Sequence, residues 1–301
     1  VKLSALGFCV IQALVILVAS LPAWAEEITL QQADGSQLVL EGPAITIITL
    51  SPHLAELAFA AGVGGRLIAT VEHSDYPDAA SGLPRVGDAF RLDLERIVNL
   101  KPDLLIAWQS GNPALAVARL QELGLTTWVI EIRQPEEIAT TLQQMGAAGG
   151  QAQAGQAAAE QALLRLQEIR QAGIGKPRVR YFYQVAAQPL FTLNGQHLIS
   201  QSLALCGGEN IYADEAVLAP QISLESVVLL DPDVMFAPAL EAGDNPLAAW
   251  QHWTRLQAVR SQRLYSLPAD EISRATPRML EAVATACSLL HRTAPPQRPP
   301  R

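Results

Sequence analysis

RLDLERIVNLKPDLLIAW, residues Arg91–Trp108, and QISLESVVLLDPDVMFAP, residues Gln221–Pro238, are two copies of one segment. In register they share Leu94/Leu224, Glu95/Glu225, Val98/Val228, Leu100/Leu230, Pro102/Pro232, Asp103/Asp233 and Ala107/Ala237. Other positions exchange apolar for apolar, as at Leu92/Ile222, Ile97/Val227 and Leu104/Val234. Each copy predicts a short helix with an acidic residue at its start, a stop at Pro-Asp and an immediate apolar strand. The copies lie roughly 130 residues apart, far beyond the ~20–50-residue period of a solenoid. They predict two lobes built to the same plan.

The segments around them support that plan. Glu26–Glu41 alternates about Ala33-Asp34-Gly35-Ser36, the pattern of a hairpin with an Asp-Gly turn. Strands are expected at Ala44–Leu50, Leu67–Val71, Leu104–Trp108 and Thr126–Ile130, with helices at Leu54–Ala61 and Asn112–Leu123 between them. Strand–helix–strand alternation implies a parallel, helix-covered sheet. Pro135–Arg170 is rich in Ala and Gln and interrupted by Gly149-Gly150 and Gly155. A helix from about Gln151 to Ala172, with Leu163, Leu164, Leu166 and Ile169 on one side, would run on the order of 30 Å and bridge two lobes. A second sheet follows from Arg178–Gln184, with a hairpin arm at Leu190–Leu193, a helix at His197–Cys206, a helix at Leu247–Leu256, a strand at Leu264–Leu267 and a helix at Pro277–His291. The expected fold class is therefore α/β, two Rossmann-like lobes joined by one long bridging helix. The divisions are a signal peptide at 1–25, a first lobe at 26–149, the bridge at 150–174, a second lobe at 175–292 and a disordered tail at 293–301.

Composition narrows the function. Half of the 301 residues are hydrophobic and 17% are charged, which predicts a substantial core. A formal charge of −8 argues against a nucleic-acid partner, since phosphate binding needs a basic face. Lys2, the apolar run Leu3–Leu21 and Ala23-Trp24-Ala25 read as a secretory signal cleaved after Ala25, in preference to a membrane anchor. The expected location is the periplasm. Cys206 and Cys287 are the cysteines left after that cleavage, and in an oxidising compartment they form either a disulfide or two buried thiols.

Catalytic patterns are absent: there is no G-x-S-x-G, H-E-x-x-H, Walker A loop or C-x-x-C. His53, His73 and His197 would make a metal site only if the fold brought them together, and each otherwise reads as a loop or surface histidine. A ligand in the cleft between two lobes is the alternative to chemistry. Tyr76, Phe90, Trp108, Tyr181, Tyr183 and Phe191 are aromatic and near strand ends, suiting a large, flat, partly apolar ligand, although Tyr181 and Trp108 read more readily as core residues. Glu95 and Glu225 each gain a few tenths to about 1 kcal/mol from a helix dipole. That leaves their duplication unexplained, and a two-fold symmetric partner with two basic pockets would explain it.

ITLSPHLAELAFAAGV (Ile48–Val63), HSDYP (His73–Pro77), DLERIVNLKPDLLIAW (Asp93–Trp108), LALCGGENI (Leu203–Ile211), PQISLESV (Pro220–Val227) and SRATPR (Ser273–Arg278) together resemble the periplasmic cobalamin-binding proteins of ABC importers, within the larger family for ferric siderophores, haem and cobalamin. The resemblance runs from about Ala44 to His291. It implies two lobes on a rigid helix, a non-enzymatic monomer with no cofactor or metal of its own, and cobalamin carried as cargo. It implies docking of Glu95 and Glu225 on a permease dimer with its ATPase subunits, and a Cys206–Cys287 disulfide. It also implies ligand contacts at Trp108, Phe191 and the loop Asp270, Glu271, Ile272, Ser273 and Arg274, to which His73, Tyr76 and Phe90 are added from the residues themselves. The chain departs from the family pattern where an aromatic is expected and His73 stands, and where tryptophans give way to Ala89 and Ala219. Glu271-Ile272 replaces a Trp-Phe pair. A haem or ferric-siderophore cargo is the alternative within the family, and a metal-dependent hydrolase on the same scaffold is the alternative outside it.

Overall fold

The structure is a computed structural model and describes residues 27–292. The expected signal segment with its cleavage after Ala25, and the tail from Thr293, lie outside the described residues.

Two four-stranded parallel sheets carry the fold, and they have the same topology. In the first, strands Leu67–Ala69, Ile47–Thr49, Leu104–Trp108 and Thr127–Ile130 lie side by side in that order. In the second, Gly208–Asn210, Val179–Tyr183, Val234–Ala239 and Leu264–Pro268 do the same. Each sheet therefore runs second, first, third, fourth in chain order, and the duplicated segment supplies the inner third strand of both.

The identity of the two copies extends to their caps. Helix Leu94–Leu100 is capped by Asp93, whose side chain accepts from the Arg96 N–H, and helix Leu224–Leu230 by Ser223, which accepts from the Ser226 N–H. Both helices end on a residue in the left-handed region, Lys101 at φ 47° and Asp231 at φ 42°. The shared Pro-Asp then docks the incoming strand. Asp103 Oδ2 accepts from the Ile45 and Thr46 N–H groups at 2.9 and 2.8 Å, and Asp233 Oδ2 accepts from the Arg180 N–H at 3.0 Å. A strand start leaves backbone donors that need partners. This aspartate supplies one in each lobe, which accounts for its repetition.

Strand alternation divides the core into three. Leu104 and Ile106, like Val234 and Phe236, face a continuous core shared by both lobes. Leu105 and Ala107 turn to an outer cluster with Ile97, while Met235 and Ala237 turn to another with Val227. The bridging helix, Ala152–Gly173, lies in the shared core. Its buried stripe is Gly155, Ala159, Ala162, Leu166 and Ile169, a spacing of four and three residues. Leu163 and Leu164, expected on that face, are 43% and 57% exposed because they fall about 80° and about 180° around the helix from it. Gly155 does not interrupt the helix. It packs on Gly146 of the preceding helix, Glu137–Ala148, where a Cβ on Gly146 would come within 2.6 Å of the Gly155 Cα.

The hairpin Ile28–Gln31 with Gln37–Leu40 forms as expected. In the second lobe Leu190–Phe191 pairs backward with Ala186–Ala187 rather than forward across Asn194-Gly195, and Leu247–Leu256 holds a short 3-10 turn, Ala248–His252, rather than an α-helix. Tyr181 and Tyr183 are core residues, 0% and 1% exposed. Cys206 and Cys287 form a disulfide closing a separation of 81 residues and tying helix Pro277–Leu290 to the end of helix Leu198–Ala204. No helix among the described residues is long and apolar enough to cross a membrane.

Candidate functional site

Trp108 ends the inner strand of the first sheet, at the carboxyl edge where open parallel sheets receive ligands. Its backbone N–H donates to Asn112 Oδ1 at 2.7 Å, and the Asn112 amide donates onward to the carbonyls of Leu50 and Ala89 at 2.7 and 2.9 Å. The indole lies against Gly111, where a Cβ would come within 1.8 Å of the ring, so no other residue fits there. Its Nε1–H points to Glu131 Oε1 at 3.4 Å, and the same carboxylate accepts from Ser110 N–H at 2.9 Å and Ser110 Oγ at 3.1 Å. The backbone is thus pinned by Asn112 and the ring held by Gly111 and Glu131.

Two hollows meet at this tryptophan. The larger, about 530 Å³, lies between the lobes: His53, Trp108 and Glu131–Gln134 form one wall, and Gln196–Ile199, Ile272 and Ser273 the other. The second, about 420 Å³, belongs to the first lobe and is lined by Pro52, His73, Phe90 and Trp108 among others. Gln201 Nε2 donates to the Arg133 carbonyl at 3.0 Å, so the walls of the larger cleft touch at one edge.

Two motifs far apart in sequence meet beside it. Glu56 of SPHLAEL is 2% exposed, and its carboxylate accepts from Arg278 Nε at 2.8 Å, Arg278 Nη2 at 2.6 Å and Thr276 Oγ1 at 2.6 Å. The guanidinium of Arg278 also sits 3.8 Å above the ring of Tyr76. Arg274 reaches the same loop, donating to Asp75 Oδ1 at 2.9 Å and the His73 carbonyl at 3.3 Å while holding Asp270 Oδ1 at 2.9 Å. Partial burial pushes the Asp75 carboxyl up, but the hydrogen bond and charge of Arg274 outweigh it and hold it below its ordinary range. The pairing of Glu56 with Arg278 gave no signal in the sequence beyond the presence of both motifs.

Of the three histidines weighed as a metal site, His53 and His197 line the larger cleft and His73 lies in the other hollow. No group of three or more His, Cys, Asp or Glu side chains suited to a metal ion occurs among the described residues. His53 is 8% exposed, and burial, with the charge of Arg274 second, pushes it down to about 3. Burial pushes His197 down to about 4. Both are neutral imidazoles at neutral pH.

Eight of the ten residues expected at the ligand fall into three places. Trp108, Ile272 and Ser273 line the larger cleft, and His73 and Phe90 line the second hollow, Phe90 being 72% exposed. Asp270, Arg274 and Tyr76 form the charged bridge between lobes described above. Phe191 is half-buried, pairs with Ala186 and Gln221, and lines neither hollow; Glu271 is half-buried and in no ion pair among the described residues. Elsewhere, Glu95 and Glu225 occupy matching exposed positions on their two helices, and neither has a salt bridge among the described residues.

Two like-built α/β lobes on one helix with a cleft between them define a binding protein of the two-lobed class. Residues 47–271 match the family described as periplasmic binding protein, and the chain belongs to that family. It is 39% identical over 249 residues to the vitamin B12-binding protein of Vibrio cholerae serotype O1, covering 82% of this chain and 90% of that protein. The vitamin B12-binding protein of Yersinia pestis is 35% identical over 242 residues, 80% of this chain and 84% of the relative. Among solved structures, that of the periplasmic vitamin B12 binding protein BtuF of Vibrio cholerae has a TM-score of 0.76 at 39% identity, over 82% of this chain and 97% of BtuF.

Proposed function

We propose that this protein captures cobalamin in the cleft between its lobes and delivers it to an inner-membrane ABC importer. The observation that carries the reading is the inter-lobe cleft. Its walls combine a fixed indole, apolar side chains, several amides and the Glu131 carboxylate, in a chain 39% identical to vitamin B12-binding relatives. A corrinoid needs that combination: apolar faces for the ring and polar groups for its peripheral amides.

Under this reading the cleft aromatics and the Asp270–Arg274 loop contact the cargo. Arg274 then exchanges Asp75 for a ligand acceptor, which loosens one bridge between lobes as the cargo enters. Glu95 and Glu225 dock on basic pockets of a two-fold permease, one per lobe, with the ATPase subunits beneath. The protein acts as a monomer in the periplasm after cleavage following Ala25, with a first lobe at 26–149, a bridge at 150–174 and a second lobe at 175–292. It catalyses nothing and keeps no metal or cofactor of its own; the cobalt travels with the cargo. Calorimetric titration with cyanocobalamin, with hemin as the competing cargo, tests the reading.

A further inference from the structure

His53 is the second residue of helix Pro52–Ala60, and Ser51 before it has the extended backbone of an N-cap, φ −152° and ψ 149°. Serine in that position ordinarily caps the helix with its hydroxyl. Ser51 makes no such bond, whereas Asp93 and Ser223 do at the two repeat helices. Its Oγ instead lies 2.7 Å from Nδ1 of His53. The edge of the Trp108 ring system packs against the same imidazole, with centroids 5.0 Å apart and planes at 84°. The fold therefore gives up a helix cap to orient one imidazole on the wall of the cleft. That imidazole is 8% exposed, and its Nε2 has no hydrogen-bond partner among the described residues.

His197 faces the same cleft from the other lobe and is the instructive contrast. Its Nδ1 accepts the Ile199 backbone N–H at 3.2 Å. A neutral imidazole that accepts at Nδ1 carries its proton on Nε2, so His197 presents a donor to the cleft and no lone pair. At His53 the serine hydroxyl can accept from Nδ1–H, and in that tautomer Nε2 presents its lone pair. An oxygen on the far nitrogen is the recurrent device for orienting a metal-binding histidine. Burial keeps this imidazole unprotonated through the neutral range.

We propose that His53 is an axial ligand for the cargo, its Nε2 coordinating the cobalt of a corrinoid whose axial position is open or held only by water. The imidazole replaces the water, which leaves the cleft, and the cobalt keeps its oxidation state. The inference rests on the corrinoid reading and deepens it: besides cobalamin, the cleft takes a corrinoid without a coordinated nucleotide base, such as cobinamide.

Electron paramagnetic resonance of cob(II)inamide bound to the purified protein tests this directly, because one axial nitrogen splits each cobalt line into a triplet. The proposal expects the triplet in the native protein and in His197→Ala, and its loss in His53→Ala. It expects affinity for cobinamide to fall at least about tenfold in His53→Ala, with added free imidazole restoring the triplet. Cob(II)inamide bound to the native protein without nitrogen splitting, or a triplet that survives His53→Ala, overturns the proposal and leaves the corrinoid reading standing. Failure of both cobinamide and cyanocobalamin to bind overturns the two together.

Discussion

Glu56 of the first lobe and Arg278 of the second form a bidentate ion pair, 2.8 and 2.6 Å, on the shared side of the cleft. The glutamate is 2% exposed, so its charge is tolerated only because Arg278 and Thr276 surround it. Arg278→Ala leaves that carboxylate buried without a counter-charge and is expected to cost about 3–5 kcal/mol. The double substitution Glu56→Leu with Arg278→Met is expected to cost less than Arg278→Ala alone. Urea denaturation of the three proteins checks the order, and a double variant less stable than the single one would contradict it.

Acid sensitivity should begin above the carboxylate range. His53 is pushed down to about 3 in the folded chain, while its unfolded value is the ordinary 6.5. Below pH 6.5 the unfolded chain takes up a proton that the folded chain refuses, so stability falls as the pH falls from 6.5 toward about 3. The full loss is at most on the order of 5 kcal/mol, with only part of it realised by pH 5. His53→Gln should flatten the stability profile between pH 6.5 and 4.5 by about one proton taken up on unfolding. An unchanged slope in that window would show that His53 titrates normally.

The Cys206–Cys287 bridge ties the final helix to the shared core, and its reduction should lower stability by about 2–4 kcal/mol. Ellman titration of the unreduced, native protein should find no free thiol. Two reactive thiols in that sample would contradict the bridge.

Charge reversal of Glu95 and Glu225 together should abolish capture by the permease in reconstituted membranes while leaving affinity for the cargo unchanged. Each residue is exposed and makes no salt bridge among the described residues, so little stability is at stake. Weakened cargo binding in the double variant would place these glutamates in a different role.

What the sequence disclosed depended on the range of the interaction. The duplicated segment carried its own caps and its alternating strand, both local devices, whereas the partners of its Asp strand dock lie 53 to 58 residues away. The third strand of each sheet and the two-lobe plan could therefore be read from it. The bridging helix was legible in length but not in facing: Leu163 and Leu164 are apolar, yet packing selected the Gly155–Ala159–Ala162–Leu166–Ile169 stripe because small residues let the neighbouring helix approach. Glu56 and Arg278, 222 residues apart, could not be paired from spacing at all. His53 stood within a quoted motif, but only the diverted hydroxyl of Ser51 distinguishes it from His73 and His197.

Isothermal titration of the purified protein with cyanocobalamin tests the account at its centre. The account predicts one-to-one binding at about micromolar affinity or tighter, near −8 kcal/mol or better. No heat with cyanocobalamin, together with a Soret shift on adding hemin, would contradict it and assign the cleft to haem.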